Sequence, residues 1–272
     1  MNRQSIILLA LLSIFSFSQC KHRPLQADID YAIGLTNEAL SVVQKGEAYS
    51  DTMSLKRCED IFSRSGNKYR KQLSQVYCIL GRNYDVWHME TKEVPYFIKC
   101  IEMKDADRVM VSNALTHLKY ICINQKDYES AEYFSKKCYE LRKKYNLIPE
   151  DRNKLLLAQA YLNNQKIDDA NKLIKTIDVK DLRPIEVALL NETRYACFMI
   201  EEDYDSAEHY AREALRYPST KITNSHSYKY LNMAECFYKN KNTDSCLVYI
   251  NKAIKNNTLR NDSIRIVDLS LK

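Results

Sequence analysis

A repeat constrains this chain more than any other feature. Asp127-Tyr128-Glu129-Ser130-Ala131-Glu132-Tyr133-Phe134 returns 76 residues later as Asp203-Tyr204-Asp205-Ser206-Ala207-Glu208-His209-Tyr210. Ile167-Asp168-Asp169-Ala170 falls midway and Thr243-Asp244-Ser245-Cys246 comes one step later. The small residues Ala131, Ala170, Ala207 and Cys246 thus recur at intervals of 39, 37 and 39. A period in this range marks a solenoid, whose units cannot bury their apolar faces alone and stack on their neighbours. Each copy lies between two stretches whose apolar residues recur at three and four, as in residues 115–123 and 133–141, so each unit reads as a helix–turn–helix.

Glycine use points the same way. The 272 residues contain only Gly34, Gly46, Gly66 and Gly81, where average usage would give about 19. Phosphate-cradling loops, dinucleotide fingerprints and nucleophile elbows need glycines where the backbone turns sharply or approaches a ligand. Nothing after residue 81 can supply them. The expected class is all-α.

These units resemble the tetratricopeptide repeat. Tyr77, Leu80, Gly81 and Tyr84 reproduce the aromatic-x-x-Leu-Gly-x-x-Tyr core of its first helix. Tyr96-Phe97-Ile98-Lys99-Cys100 matches the ending of its second. Glu93 takes the usual alanine position, and Met89-Glu90-Thr91-Lys92 replaces the usual glycine-containing turn. Lys119 and Tyr195 stand where the first helix carries Gly or Ala, which implies a looser crossing or a shifted register at those two units. The resemblance implies a right-handed α-α superhelix of antiparallel helix pairs, with about five repeats over residues 71–256. Residues 20–70 read as a tether and an atypical capping pair of helices, and residues 257–272 as a C-terminal capping helix or a truncated continuation. Pro149 and Pro184 suit first helical turns, where no N–H is needed; Pro218 sits in a connector.

Residues 1–19 read as an export signal: Arg3, then an apolar run over residues 6–17, then Ser18-Gln19-Cys20. That run is too short for a membrane span, which needs about 20 apolar residues. Cys20 resembles the lipidated cysteine of bacterial lipoproteins, in the looser form of the Bacteroidetes type, with Gln19 in place of a small residue. The resemblance implies an exported protein, lipid-anchored (for example by palmitate) to the bacterial envelope, on the periplasmic or surface face of the outer membrane. Without residues 1–19 the chain keeps 40 of its 41 basic residues against 35 acidic ones, a mild net charge of +5 with the signs interspersed. No nucleic-acid partner is indicated. Asp51-Thr52-Met53 and Asp262-Ser263-Ile264 resemble the short O-glycosylation signal of secreted proteins from that phylum.

The remaining eight cysteines fall largely at small, helix-packing positions; Cys197 and Cys236, 39 apart, are the pair to consider for a disulfide. The five histidines are scattered and form no metal-ligand spacing, so no cofactor or metal is expected. Asp168-Asp169 and Glu201-Glu202-Asp203 lie in repeat turns, where carboxylates cap helices. Trp87 reads as packing on a neighbouring repeat or as a binding anchor. No catalytic constellation emerges, so the chain is not read as an enzyme. Phasing the repeats puts Arg82, Asp85, Asn113, Tyr120, Arg152, Gln159, Asn163, Glu192, Tyr228 and Glu235 on the concave face. This set differs from the Lys/Asn clamp of chaperone-binding repeats. The expected function is a protein–protein interaction module binding a peptide or envelope protein. The alternative is the sensory part of an envelope signalling protein; glycan capture and enzymatic activity rank below both.

Overall fold

Each turn between paired helices solves one problem: reversing the chain in two or three residues without glycine. Lys126, Gln165, Glu202 and Lys241, at intervals of 39, 37 and 39, all adopt positive φ, between 58° and 61°. The next residue starts the second helix, and in three of the four turns its side chain caps that helix. Asp127, Asp203 and Asn242 accept from the backbone N–H of Ser130, Ser206 and Ser245 at 3.1 Å. Asp51 does the same for Ser54 at 2.9 Å. The Asp51 carboxyl is held below its usual range by these bonds from Ser54, so Asp51-Thr52-Met53 serves as a helix start. Lys166, which follows αL Gln165, gives its helix no side-chain cap. Asp168 and Asp169 sit in the first turn of that helix, where they complement its dipole but do not cap it.

The computed structural model describes residues 24–87, 89–217 and 226–256. They form twelve α-helices: α1 (Gln26–Gln44), α2 (Thr52–Arg64), α3 (Arg70–Val86), α4 (Glu90–Glu102), α5 (Arg108–Asn124), α6 (Tyr128–Tyr145), α7 (Glu150–Asn163), α8 (Ile167–Ile174), α9 (Pro184–Ile200), α10 (Tyr204–Leu215), α11 (His226–Lys239) and α12 (Thr243–Asn256). There is no strand among the described residues, and no helix among them is long and apolar enough to cross a membrane. Pro184 occupies the first helical position of α9, while Pro149 is the N-cap of α7, one residue before the helix. Cys20, Pro218, the Asp262-Ser263-Ile264 motif and residues 257–272 lie outside the described residues.

Two compact units divide at Ile121 and Cys122. In the first, α1, α2 and α3 pack on one another and α4 packs on α3. Asn83, fully buried on α3, fastens the α1–α2 loop by accepting from Tyr49 N–H (3.0 Å) and donating to its carbonyl (2.7 Å). Ser74 Oγ accepts from Asp107 N–H at 2.9 Å, and Gln75 donates to the Asp107 carboxylate at 2.9 Å, which brings the start of α5 to α3. In the second unit, α7 through α12 pack in sequence as pairs, and α6 lies on α7. Buried Glu132 on α6 grips the α7–α8 turn: it binds Lys166 at 2.8 Å, Lys136 at 2.6 Å and the side-chain amide of Asn164. Burial alone would raise its pKa, but those three hydrogen bonds hold it at about 2.

The crossings within pairs keep one register throughout. The first-helix crossing residue and its second-helix counterpart are 16 residues apart: Gly81 with Phe97, Ala158 with Ile174, Tyr195 with Ala211, Ala234 with Ile250. One member is large and the other small. A methyl group on Gly81 would lie 2.7 Å from the Phe97 ring. Ala158 and Ile174 share one buried cluster, Tyr195 and Ala211 a second, Ala234 and Ile250 a third. Tyr195 therefore neither loosens nor shifts its crossing. The bulk has moved to the first helix and Ala211 makes room for it, while the Tyr195 hydroxyl donates to Glu235 at 2.9 Å. Lys119 is buried, with its ammonium 3.9 Å from the Tyr120 ring centroid.

Cys197 and Cys236 are both free and belong to different clusters, with Cys236 Sγ 3.9 Å from Met199 Sδ. The register offset that aligns them in sequence does not bring them together.

Two outcomes follow. Tyr195→Ala should destabilise by about 3–5 kcal/mol through its cavity, and Ala211→Ile by about 1–3 through overpacking. The double variant, which rebuilds the Ala/Ile crossing of two other pairs, should cost about 1–2 kcal/mol less than their sum in a urea-unfolding cycle. Additive effects would show that the two side chains do not share a site. Separately, Lys126, Gln165, Glu202 and Lys241 are all exposed. Changing any of them to Gly should therefore stabilise by up to about 1 kcal/mol, read as a rise in Tm.

Candidate functional site

Gly81 sets the geometry of the first unit's face. Because it has no side chain, Phe97 of α4 lies directly on α3. Phe97 is fully buried and stacks flat on His117 of α5, with centroids 4.9 Å apart and an interplanar angle of 9°. His117 Nδ1 in turn lies 3.0 Å from Asp85 on α3. Next to this stack a cleft of about 170 Å³ opens between three helices. Leu40, Val43 and Gln44 form the α1 wall; Cys78, Ile79 and Arg82 the α3 wall; Met110, Asn113 and His117 the α5 wall. The spacings (i, i+3, i+4 on α1; i, i+1, i+4 on α3; i, i+3, i+7 on α5) put each set on one helical side.

Apart from Arg82 and His117 the walls are neutral, and five of the nine lining residues (Leu40, Val43, Cys78, Ile79 and Met110) are apolar. Asp85, one turn beyond Arg82, faces His117. Arg82 is half-buried and makes no hydrogen bond, ion pair or ring contact with any described residue. Asn113 is exposed and likewise unengaged among the described residues. Cys78 touches Cys100 behind the cleft. The Cys100 thiol is pushed well above its ordinary range by that hydrogen bond and by burial, so it stays protonated. Burial also raises the thiols of Cys58, Cys122 and Cys246, and that of Cys197 to about 11. Raised in this way, these thiols favour their protonated form, which suits helix packing.

The structure thus brings Arg82, Asp85 and Asn113 together and adds His117 and the α1 wall, which sequence phasing did not single out. His117 had a legible signal, one turn after Asn113 on the same helical face. Leu40, Val43 and Gln44 had none, because α1 carries no copy of the repeat motif. Trp87 ends α3 exposed, edge-on to Tyr84 at 6.0 Å, and does not pack as a buried inter-repeat residue. Tyr120 is half exposed beside Lys119.

The predicted residues of the second unit are placed differently. Arg152 binds buried Glu186 at 2.9 Å, joining α7 to α9, and Arg183 holds the same carboxylate at 2.6 Å. Burial would raise the Glu186 pKa, but the Arg183 hydrogen bonds and the Arg152 charge leave it lowered. Glu235 accepts from Tyr195, joining α9 to α11. Glu192 is largely shielded from water, and burial raises its pKa against the opposing charge of Lys229. Lys229 is itself buried and donates to the carbonyls of Ala214 and Tyr217 at 2.9 and 2.8 Å, at the C-terminal end of α10. Gln159 is half-buried, while Asn163 and Tyr228 are exposed. No group of three or more His, Cys, Asp or Glu side chains capable of holding a metal occurs among the described residues.

This is a TPR-like helical-repeat fold, as three solved structures attest. The chain is similar to NprR, solved in complex with its cognate peptide NprX, at TM-score 0.59 and 12% identity, over 98% of this chain and 78% of that one. It is similar to pilF of Pseudomonas aeruginosa at TM-score 0.57 and 13% identity, over 90% and 98% of the two chains. It is also similar to aspartyl phosphate phosphatase F of Bacillus subtilis at TM-score 0.55 and 16% identity, over 89% of this chain and 62% of that one. No protein-family model matches the chain, and no curated protein matches it in sequence.

The contrast between the two arginines is measurable. Arg152→Ala removes one of two cations from a buried carboxylate and should destabilise by about 1–3 kcal/mol. Arg82→Ala leaves no described partner behind and should stay within about 0.5 kcal/mol of the parent in chemical unfolding.

Proposed function

We propose that this chain is a non-enzymatic interaction module: a TPR-like solenoid that is exported, lipid-anchored at Cys20 to the bacterial envelope, and binds a peptide or a segment of a partner protein. The observation that carries this reading is the cleft on α1, α3 and α5, with aliphatic walls and two unengaged polar side chains. Glu132, Glu186 and Asn83 are each engaged by hydrogen bonds within the fold, whereas Arg82 and Asn113 beside the cleft engage no described residue and so are available to a second molecule. The peptide complex of NprR, a protein of like fold, supports the same use of this architecture. The anchor and the envelope location rest on the sequence before residue 21 alone.

The cleft's size separates this reading from a sensor of free small molecules. At about 170 Å³ it is smaller than the ~300 Å³ at which small-molecule pockets begin, and a small-molecule pocket also buries most of its ligand. One or two side chains of a longer chain fit it better.

A photo-crosslinking amino acid at Asn113, in the full-length protein in its own cells, should capture one reproducible envelope partner. Arg82→Glu should abolish that capture without changing protein levels. Metabolic palmitate labelling should be present in the parent and lost in Cys20→Ala. No captured partner, with the protein folded and labelled, would overturn the interaction reading; absence of label would overturn the anchor.

A further inference from the structure

The arginines of this protein single one out. Of the eleven among the described residues, Arg57, Arg64, Arg70, Arg152, Arg183, Arg212 and Arg216 bind carboxylates. Arg194 lies 5.4 Å from the centroid of the Tyr210 ring, and Arg108 and Arg142 are engaged as well. Arg82 alone among them has no partner, and it lines the cleft. A guanidinium carries five donors and no acceptor in a rigid fork that matches a carboxylate. Its environment supplies no such group. Asp85 is turned to His117, and none of the residues lining the cleft carries a carboxylate.

We infer that the cleft's occupant is an extended peptide segment that presents an aspartate or glutamate side chain to Arg82 and sets a neighbouring aliphatic side chain against Leu40, Val43, Ile79 and Met110. The inference rests on the peptide-binding reading above and names the chemistry it recognises. Charge complementarity chooses the acid: a basic side chain would face Arg82 with no free carboxylate in the walls to offset it. Leu40 and Val43 on α1, Ile79 on α3 and Met110 on α5 suit an apolar neighbour, and a single unpaired cation disfavours a nucleic acid, which would need several cations along one track. Asn113 offers an amide that both donates and accepts, the combination a peptide backbone needs. Partial burial of Arg82 strengthens its pairing relative to a fully solvated surface ion pair.

The test uses the full mature chain and three sets of synthetic decapeptides, acetylated and amidated at their ends. Their flanks are randomised around a central Leu-Ala-Asp, Leu-Ala-Asn or Leu-Ala-Lys, and binding is read by fluorescence polarisation. The Asp set should bind at least about tenfold more tightly than the Asn set, an advantage that shrinks as salt is raised. Arg82→Glu should reverse the order and favour the Lys set, with an unchanged unfolding midpoint. Equal binding of all three sets overturns this inference and leaves the peptide reading standing. Binding only by versions with a free C-terminal carboxylate overturns the side-chain assignment. If no set binds to a folded protein, the peptide reading itself fails and the inference falls with it.

Discussion

Two helices of a pair can cross closely only if the two side chains at the crossing together fill one volume. In this chain those side chains stand 16 residues apart, and the constraint acts on their sum. Gly81 admits Phe97; Tyr195 is admitted by Ala211; Ala158 and Ala234 each meet an isoleucine. Interiors packed to crystal-like density tolerate such compensated exchanges far better than a change on one side. The repeats can therefore diverge widely in identity while the helix–turn–helix geometry persists. Helix pairing within each unit depends on this complementarity.

The same constraint builds the cleft. Where the small member is Gly81, the large member Phe97 lies low on α3 and provides a flat ring for His117, and His117 then engages Asp85. That removes the only carboxylate one turn from Arg82. Where the large member is Tyr195, its hydroxyl instead reaches across to Glu235 and closes the surface between α9 and α11. One packing rule, resolved in opposite senses, thus leaves one face open and chemically unsatisfied and knits another shut.

Much of the fold was legible in the sequence because it depends on periodicity. The interval between Ala131, Ala170, Ala207 and Cys246 and the aromatic-x-x-Leu-Gly core around Gly81 suffice for an all-α TPR-like arrangement. What resisted reading was whatever depends on pairs of positions. Tyr195 in a glycine position looked like a defect because Ala211 was not weighed with it. Cys197 and Cys236 looked like partners because equivalent positions in successive repeats align in sequence, while in space they enter different clusters. The turns were legible only in part: aspartates and an asparagine mark three helix starts, yet the αL residues before them are Lys, Gln, Glu and Lys, which carry no turn signature. The α1 wall of the cleft escaped because a helix outside the motif shows its role only once Asn83 has fastened its loop to α3.

Phasing places a residue on a face, but it cannot say whether that residue is already engaged. Arg82 and Arg152 occupied the same predicted face with the same charge. The difference lies in a partner from another repeat: Glu186, two residues into α9, captures Arg152 together with Arg183, whereas Arg82 makes no ion pair with any described carboxylate. A buried carboxylate held by two cations has its electrostatic needs met, and removing one partner mainly damages the fold. A cation beside an aliphatic cleft, with its nearest acid turned away, remains partly desolvated and has its full set of donors to offer. Among the described residues, the intramolecular pairing of arginines stops short at the Arg82 side of the α1–α3–α5 cleft.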